Sequence, residues 1–164
     1  MLEAGNNETI PDLGAAIVPG TSAAGIVIGS RIEDLLARSQ PSGMERRSDF
    51  LVHNFTSVKV WSLDGLVTQI GVYHGYRGTL DHQIGIGSSI AEVEGWCCCH
   101  VVEDDDDNLI AMGRPGWSFE TSEWSGNHTV AENRNALITE IFVFCLSAQT
   151  VSPGIVTRVF ASPP

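Results

Sequence analysis

The chain has 164 residues, of which 43% are hydrophobic, and its formal net charge at pH 7 is −11. This length and apolar content suit one domain with a buried core, and no run of about 18 apolar residues is present to form a membrane span. A strongly negative field repels phosphate backbones and anionic lipid, so nucleic acid and membrane surfaces are poor partners.

The predicted elements begin after a polar lead-in, residues 1–23, which is broken by proline and glycine. A ten-residue pattern then occurs twice, at Ile26–Leu35 and at Ile84–Val93. Each copy predicts a short strand, a glycine corner, a serine cap and an amphipathic helix. The helices are predicted over Arg31–Arg38 and Ser89–Glu94.

Two capping boxes support these helix starts. In such a box a serine side chain accepts from the third helical amide while a glutamate reaches back to the serine amide. Ser30 and Glu33 have this spacing in the first copy, and Ser89 and Glu92 have it in the second, one residue later in the pattern.

The remaining elements follow the same order in both halves. A charged loop, Glu45–Asp49, precedes the first group, and Leu63–Gly65 gives a tight hairpin turn within it. Alternating or continuous apolar patterns predict strands at Phe50–Phe55, Ser57–Ser62, Leu66–Tyr73, Trp96–Val102, Leu109–Met112, Trp117–Thr121 and Ile138–Cys145.

The predicted fold is α+β, with two tandem units of strand, helix and antiparallel meander that share one core. The helices should lie on one face of the sheet. The units span about residues 24–82 and 83–146 of a single domain, and residues 1–23 and 147–164 are extended terminal segments. Ile155–Phe160 could add an edge strand.

The cysteines indicate no disulfide framework, because Cys97, Cys98 and Cys99 are adjacent and Cys145 is isolated. On a strand, Cys98 and His100 would share one face while Cys97 and Cys99 share the other, so no metal site is expected. No cofactor is expected either. The N-terminus lacks the basic start and apolar core of a signal peptide, and together these features predict a cytoplasmic protein.

The charge is concentrated in the second half. Residues 83–164 contain 11 acids and 3 bases, whereas residues 1–82 contain 9 acids and 6 bases. The acidic run Asp104–Asp107 lacks the glycine and glutamate of a calcium loop and predicts a solvated turn. Such a field would steer a basic protein partner towards this half.

Aromatic residues lie beside these acids. Strand alternation puts Trp117 and Phe119 on one face, which is core in one interpretation and an anchor for a partner if exposed. The candidate partner-binding residues are Asp104, Asp105, Asp106, Asp107, Trp117, Glu120, Glu123 and Trp124.

The duplicated strand–glycine–serine–helix pattern at Ile26–Leu35 and Ile84–Val93 resembles the tandem unit of beta-lactamase-inhibitor-like proteins. That resemblance implies two units forming a concave binding surface. Members of that family are secreted and disulfide-bonded, which this sequence does not predict. A small, acidic chain poor in motifs also resembles bacterial immunity proteins that neutralise toxins.

Three functions stay open. The leading hypothesis is a non-enzymatic cytoplasmic immunity protein or inhibitor that neutralises a basic toxin or enzyme. The second is a small hydrolase-like enzyme that uses His74 and His82, which bracket a glycine-rich loop. The third is a structural or assembly subunit, which could form a homodimer through strand Ile138–Cys145.

Overall fold

The computed structural model describes residues 9–122 and 129–146. Its helices are α1 (Ile32–Leu36), α2 (Ile90–Cys97) and a short 3-10 helix (Val130–Asn133). Its strands are β1 (Ser22–Ala23), β2 (Ile26–Val27), β3 (Gly43–Arg47), β4 (Phe50–Phe55), β5 (Val58–Leu63), β6 (Leu66–Tyr73), β7 (Val101–Glu103), β8 (Leu109–Ala111), β9 (Trp117–Thr121) and β10 (Ile138–Phe144).

Eight strands form one antiparallel sheet in the order β3-β4-β5-β6-β10-β9-β8-β7, while β1 and β2 form a separate hairpin. The centre of the sheet is the pair β6–β10, in which Val72 lies opposite Ile141 and Ile70 lies opposite Val143. A mainly antiparallel sheet with two α-helices in the described residues confirms the α+β class predicted from the sequence.

A continuous hydrophobic core covers one face of the sheet. It contains Ile32 and Leu35 from α1, Ile90 and Val93 from α2, and inward-facing strand residues from both halves of the chain. The opposite face has a smaller cluster, made by Val52, Trp61, Phe142 and Phe144 with Phe50 beside it. No helix within residues 9–122 and 129–146 is long and apolar enough to cross a membrane.

The two helices are attached to the central strands by the same kind of hydrogen bond. The Gly29 amide donates to the Val67 carbonyl at 2.7 Å, and the Gly87 amide donates to the Ile138 carbonyl at 2.8 Å. Both glycines have positive φ, +84° and +91°. Each therefore makes a sharp corner before its helix, in a conformation that favours glycine. The short strand predicted in the second copy is not formed, since Ile84 makes only an isolated bridge with Leu80.

The capping-box predictions have different outcomes. Ser89 caps α2, since its side chain accepts from the Glu92 amide while the Glu92 carboxylate accepts from the Ser89 amide. The prediction for the first helix is wrong. Its N-cap is Arg31, which makes no side-chain cap bond, and the Ser30 hydroxyl donates instead to the Val27 carbonyl at 2.6 Å.

Two predicted boundaries are also wrong. The charged segment Glu45–Asp49, expected to be a loop, lies largely in strand β3, whose residues are all exposed at one edge of the sheet. Charged side chains are common on such edges because they discourage pairing with other chains. Helix α2 continues to Cys97, and the strand expected over Trp96–Val102 begins only at Val101.

Strand β10 lies between β6 and β9, so its backbone is paired on both sides. Neither edge of the strand is therefore free to pair with a second chain, and the homodimer through Ile138–Cys145 stays an untested prediction. The strand considered at Ile155–Phe160 lies outside the described residues, as does the rest of 147–164.

Part of the N-terminal segment is integrated into the core. Ile17 is buried in it, and the Tyr76 hydroxyl fastens the segment by donating to the Ala15 carbonyl at 2.6 Å and accepting from the Ala24 amide at 2.9 Å. Gly78 packs so closely against the Ala15 carbonyl that a side chain at this position would collide with it.

His53 is a buried titratable group on β4. Its Nε2 lies 3.1 Å from the Ser62 hydroxyl oxygen, and its Nδ1 has no hydrogen-bond partner among the residues the structure describes. Burial lowers the pKa of His53 below its ordinary value of 6.5. The folded protein therefore favours the neutral ring.

We expect Gly29→Ala and Gly87→Ala each to destabilise the fold by about 1 kcal/mol or more, because an L-residue at positive φ is strained. Both sites have open space around the missing Cβ, so no steric clash adds to this cost. Gly95→Ala is the matched control, since Gly95 also has open space but lies inside α2. There alanine should stabilise by about 0.5–1 kcal/mol. Urea unfolding measures all three, and a neutral Gly87→Ala would contradict the strained-corner interpretation.

His53 should make stability fall as the pH drops. His53 in the unfolded chain takes up a proton as the pH falls through about 6.5, whereas in the folded chain it stays neutral until the pH reaches its lower pKa. Between these two pKa values, proton binding stabilises the unfolded state relative to the folded one. We expect His53→Gln to lose less free energy of unfolding than the wild type between pH 7.5 and 5.5. His82→Gln, at an exposed position, should keep the wild-type dependence. Equal pH dependence in all three proteins would show that His53 does not titrate as inferred.

Candidate functional site

The acidic run forms the turn between β7 and β8. The Asp104 carboxylate accepts from the backbone amides of Asp106, at 2.8 Å, and Asn108, at 3.0 Å. This arrangement is a side-chain-stabilised turn, in which aspartate mimics a backbone acceptor. Asp104 is thus occupied in holding the turn, while Asp105, Asp106 and Asp107 are exposed.

Strand register brings this turn close to further acidic residues. Leu109, just after the turn, lies opposite Phe119 on the antiparallel strand β9. The residues that precede Leu109 therefore lie towards Glu120, so the turn and Glu120 are at the same end of the sheet. Glu120 in turn lies opposite Glu140 on the neighbouring strand β10. Because side chains alternate along a strand, both glutamates project from the face opposite the helices.

Glu140 is the most perturbed acid of this group. Its side chain is only 15% exposed, and burial raises its pKa, with the Glu120 charge adding to that rise and the Lys59 charge opposing it. The Lys59 Nζ lies 3.5 Å from the Glu140 Oε1 and 5.1 Å from the centre of the Tyr73 ring. Two carboxylates directly opposite each other on adjacent strands repel.

We call Asp105, Asp106, Asp107, Glu120 and Glu140 the acidic strip. It runs from the β7–β8 turn across β9 to the central strand β10. Chemically it can attract cations, and a cationic group placed between Glu120 and Glu140 would relieve their repulsion. Nothing in the strip is arranged as a nucleophile with an adjacent base.

The predicted site residues are only partly brought together. Asp104–Asp107 and Glu120 lie at the same end of the sheet, as just described. Trp117 does not reach this surface, because it is 1% exposed and stacks on Phe119 at 5.3 Å within the core. The core interpretation of Trp117 is therefore confirmed and the anchor interpretation is wrong. Glu123 and Trp124 lie outside the described residues.

Glu140 and Lys59 were missed by the sequence prediction. The available signal was a single acid inside the most apolar strand of the chain, where neighbours are aliphatic or aromatic. Lys59 is 81 positions away from Glu140 in sequence, so only the pairing of β5, β6 and β10 brings the two side chains together.

The cysteine prediction needs correction. Cys97 and Cys99 form a disulfide, while Cys98 between them is an exposed thiol. The cluster lies at the end of α2 rather than on a strand, so the alternation argument against a metal site does not apply there. Within the described part of the chain, no three or more His, Cys, Asp and Glu side chains are placed to hold a metal ion.

The histidines proposed for catalysis, His74 and His82, are both exposed. The His74 carbonyl accepts from the Ser57 hydroxyl at 2.6 Å, and His82 adopts positive φ in a turn. These contacts are those of turn residues and give the enzyme hypothesis no geometric support.

Comparison with models of known protein families finds no match, and comparison with curated proteins finds none. Among solved structures, the chain is similar to the uncharacterized protein yfeY from Escherichia coli, at 16% identity and a TM-score of 0.49, over 80% of this chain and 98% of that one. It is also similar to a cysteine-rich secretory protein from Staphylococcus aureus, at 11% identity and a TM-score of 0.46, over 87% of this chain and 55% of that one. Likeness at this level carries no conclusion about function.

The pKa of Glu140 should respond in opposite directions to its two charged neighbours. Glu120→Gln removes a like charge and should lower that pKa, whereas Lys59→Gln removes an opposite charge and should raise it. Carboxyl titration followed by NMR on each variant checks both shifts. Shifts of the same sign, or none, would show that the three side chains do not interact as described.

Proposed function

We propose that the protein is a binding protein for a basic protein partner, an immunity protein or inhibitor that covers a positively charged toxin or enzyme surface. The observation that carries this proposal is the acidic strip. Its members Glu120 and Glu140 face each other across adjacent strands, an arrangement that costs stability in the isolated chain. A partner's lysine or arginine between the two carboxylates would be attracted to both and would offset their repulsion.

The turn residues would act at a different stage of binding. Asp105, Asp106 and Asp107 are exposed, and such charges mainly accelerate the encounter with an oppositely charged partner. Glu140 is partly buried, so pairing it with a partner's cation would mainly affect dissociation. The strip therefore combines steering charges at the turn with a more enclosed carboxylate beside them. A cytoplasmic location is part of this proposal.

We also propose that the two halves of the sheet are copies of one unit. The matching hydrogen bonds of Gly29 and Gly87 support this, as does a strand order that reads β3 to β6 from one edge and β7 to β10 from the other. In this view the acidic turn is a feature of the second copy alone. The corresponding turn of the first copy, between β3 and β4, contains Ser48 and Asp49.

Binding kinetics with matched charge reversals test the main proposal. Immobilised wild type would be compared with Asp105→Lys/Asp106→Lys in the strip and with Asp34→Lys/Asp49→Lys at exposed positions in the first half. Both double variants change the net charge equally. We expect a basic protein from the native lysate to be retained by wild type and control, and to associate with the strip variant roughly tenfold or more slowly, with weaker salt dependence.

The dissociation rate should hardly change in the strip variant, because exposed charges contribute little once the complex has formed. Glu140→Gln should instead speed dissociation. If both charge reversals slow association equally, the effect is one of net charge and the acidic strip is not the binding site. If wild type retains no basic protein, the function proposed here is wrong.

A further inference from the structure

A second feature, unrelated to the acidic strip, is the disulfide between Cys97 and Cys99. Cys97 is the last residue of α2, and Cys98, which follows, is in the left-handed conformation with φ +50°. The bridge encloses a single residue between its ends. Because closing so short a loop removes little entropy from the unfolded chain, the bridge contributes little as a structural staple. Its presence therefore points to another role.

One residue of the bridge, Cys99, lies beside a cavity. A cavity of about 940 Å³ lies beside the end of α2, between that helix, strand β7 and the 3-10 helix. Cys98 and Cys99 line it, and Cys98 is exposed while Cys99 is half-buried. Cys97 is 7% exposed and is not part of the lining. Of the two bridge residues, a molecule in the cavity would therefore meet Cys99 rather than Cys97.

One cationic side chain, Arg134, also lines this cavity. The Arg134 guanidinium lies 2.7 Å from the Glu94 carboxylate, and His100 Nδ1 lies 3.9 Å from the same group. Glu94 also accepts from the Val101 amide at 3.2 Å. The carboxylate is thus held by the Arg134 guanidinium and the Val101 amide, while Arg134 remains about half exposed. A positive group beside a sulfur favours the thiolate form of an attacking thiol.

We propose that Cys97, Cys98 and Cys99 form a thiol–disulfide exchange site for thiol-containing substrates that enter through this cavity. A substrate thiolate attacks the Cys99 sulfur, the Cys97–Cys99 bond breaks, and the electron pair goes to the Cys97 sulfur, which takes a proton. A second substrate thiolate then attacks the substrate sulfur of the mixed disulfide and releases Cys99 as a thiolate, which is protonated. The bridge is reduced to two thiols, and two substrate thiols are oxidised to one disulfide.

Cys98 gives the site a third sulfur. Its thiol lies 3.7 Å from the Gly95 carbonyl oxygen and does not take part in the bridge. It can exchange with a mixed disulfide at Cys99 but is not required for the overall reaction, because the second substrate thiol completes it. This proposal does not depend on the acidic strip, so either can fail without the other.

Counting reactive thiols in the native, full-length protein tests the site. The native chain would be equilibrated in glutathione buffers of increasing reduced fraction, and then with dithiothreitol. Acid would stop the exchange, the buffer thiols would be removed, and all free thiols would then be labelled with a maleimide at neutral pH in denaturant. We expect the mass to show two labels at the oxidised end, at Cys98 and Cys145, and four at the reduced end. Tryptophan fluorescence should show that the fold is retained throughout.

Variants assign the labels and test the charge. Cys98→Ser should carry one label at the oxidised end of the buffer series and three at the reduced end. Cys97→Ser/Cys99→Ser should carry two labels at every buffer composition. Arg134→Gln should slow the reduction several-fold, whereas Arg46→Gln on the far edge strand β3 should not. Four labels in the air-oxidised wild type, or a bridge that glutathione and dithiothreitol reduce only after urea has unfolded the chain, would overturn the proposal.

Discussion

The pairing of β6 with β10 is the interaction on which the rest of the structure depends. It joins the first four strands of the sheet to the last four, and its residues Ile70, Val72, Ile141 and Val143 lie at the middle of the core. Both helices are also attached to these two strands, α1 through Val67 and α2 through Ile138. This one long-range pairing thus places both helices on the same face of the sheet, where they cover a single hydrophobic core.

The same pairing explains the unusual environment of Glu140. A strand at the centre of a sheet has neighbours on both sides, so a carboxylate on it loses more water than one at an edge. Glu120 approaches from β9, which flanks β10, and Lys59 reaches Glu140 from β5, on the far side of β6. The acidic strip therefore connects a well-hydrated turn with a partly desolvated carboxylate, and this gradient of exposure is the basis of its proposed role in binding.

The geometry of the cysteine site does not depend on the pairing of β6 with β10. It depends on where α2 ends rather than on the sheet, because the left-handed residue Cys98 brings Cys97 and Cys99 to a Cα–Cα distance of 5.2 Å. Disulfides persist mainly in oxidising compartments. The cysteines therefore do not support the predicted cytoplasmic location.

The sequence by itself determined the elements whose signals are local. Strands β4, β6 and β9 have the predicted bounds, the Leu63–Gly65 turn joins β5 to β6, and the capping box of Ser89 and Glu92 starts α2. In each case alternation, turn residues or a cap within a few positions carries the information.

The tertiary structure decided what depends on distant neighbours. It made the charged segment Gly43–Arg47 an edge strand because β4 was there to pair with it, and it buried Trp117 because the helices cover that face. It also placed Glu140 between Lys59 and Glu120. No local sequence pattern predicts these outcomes, because each depends on which strands pair and in what register. A shift of one residue in register would exchange the two faces of a strand.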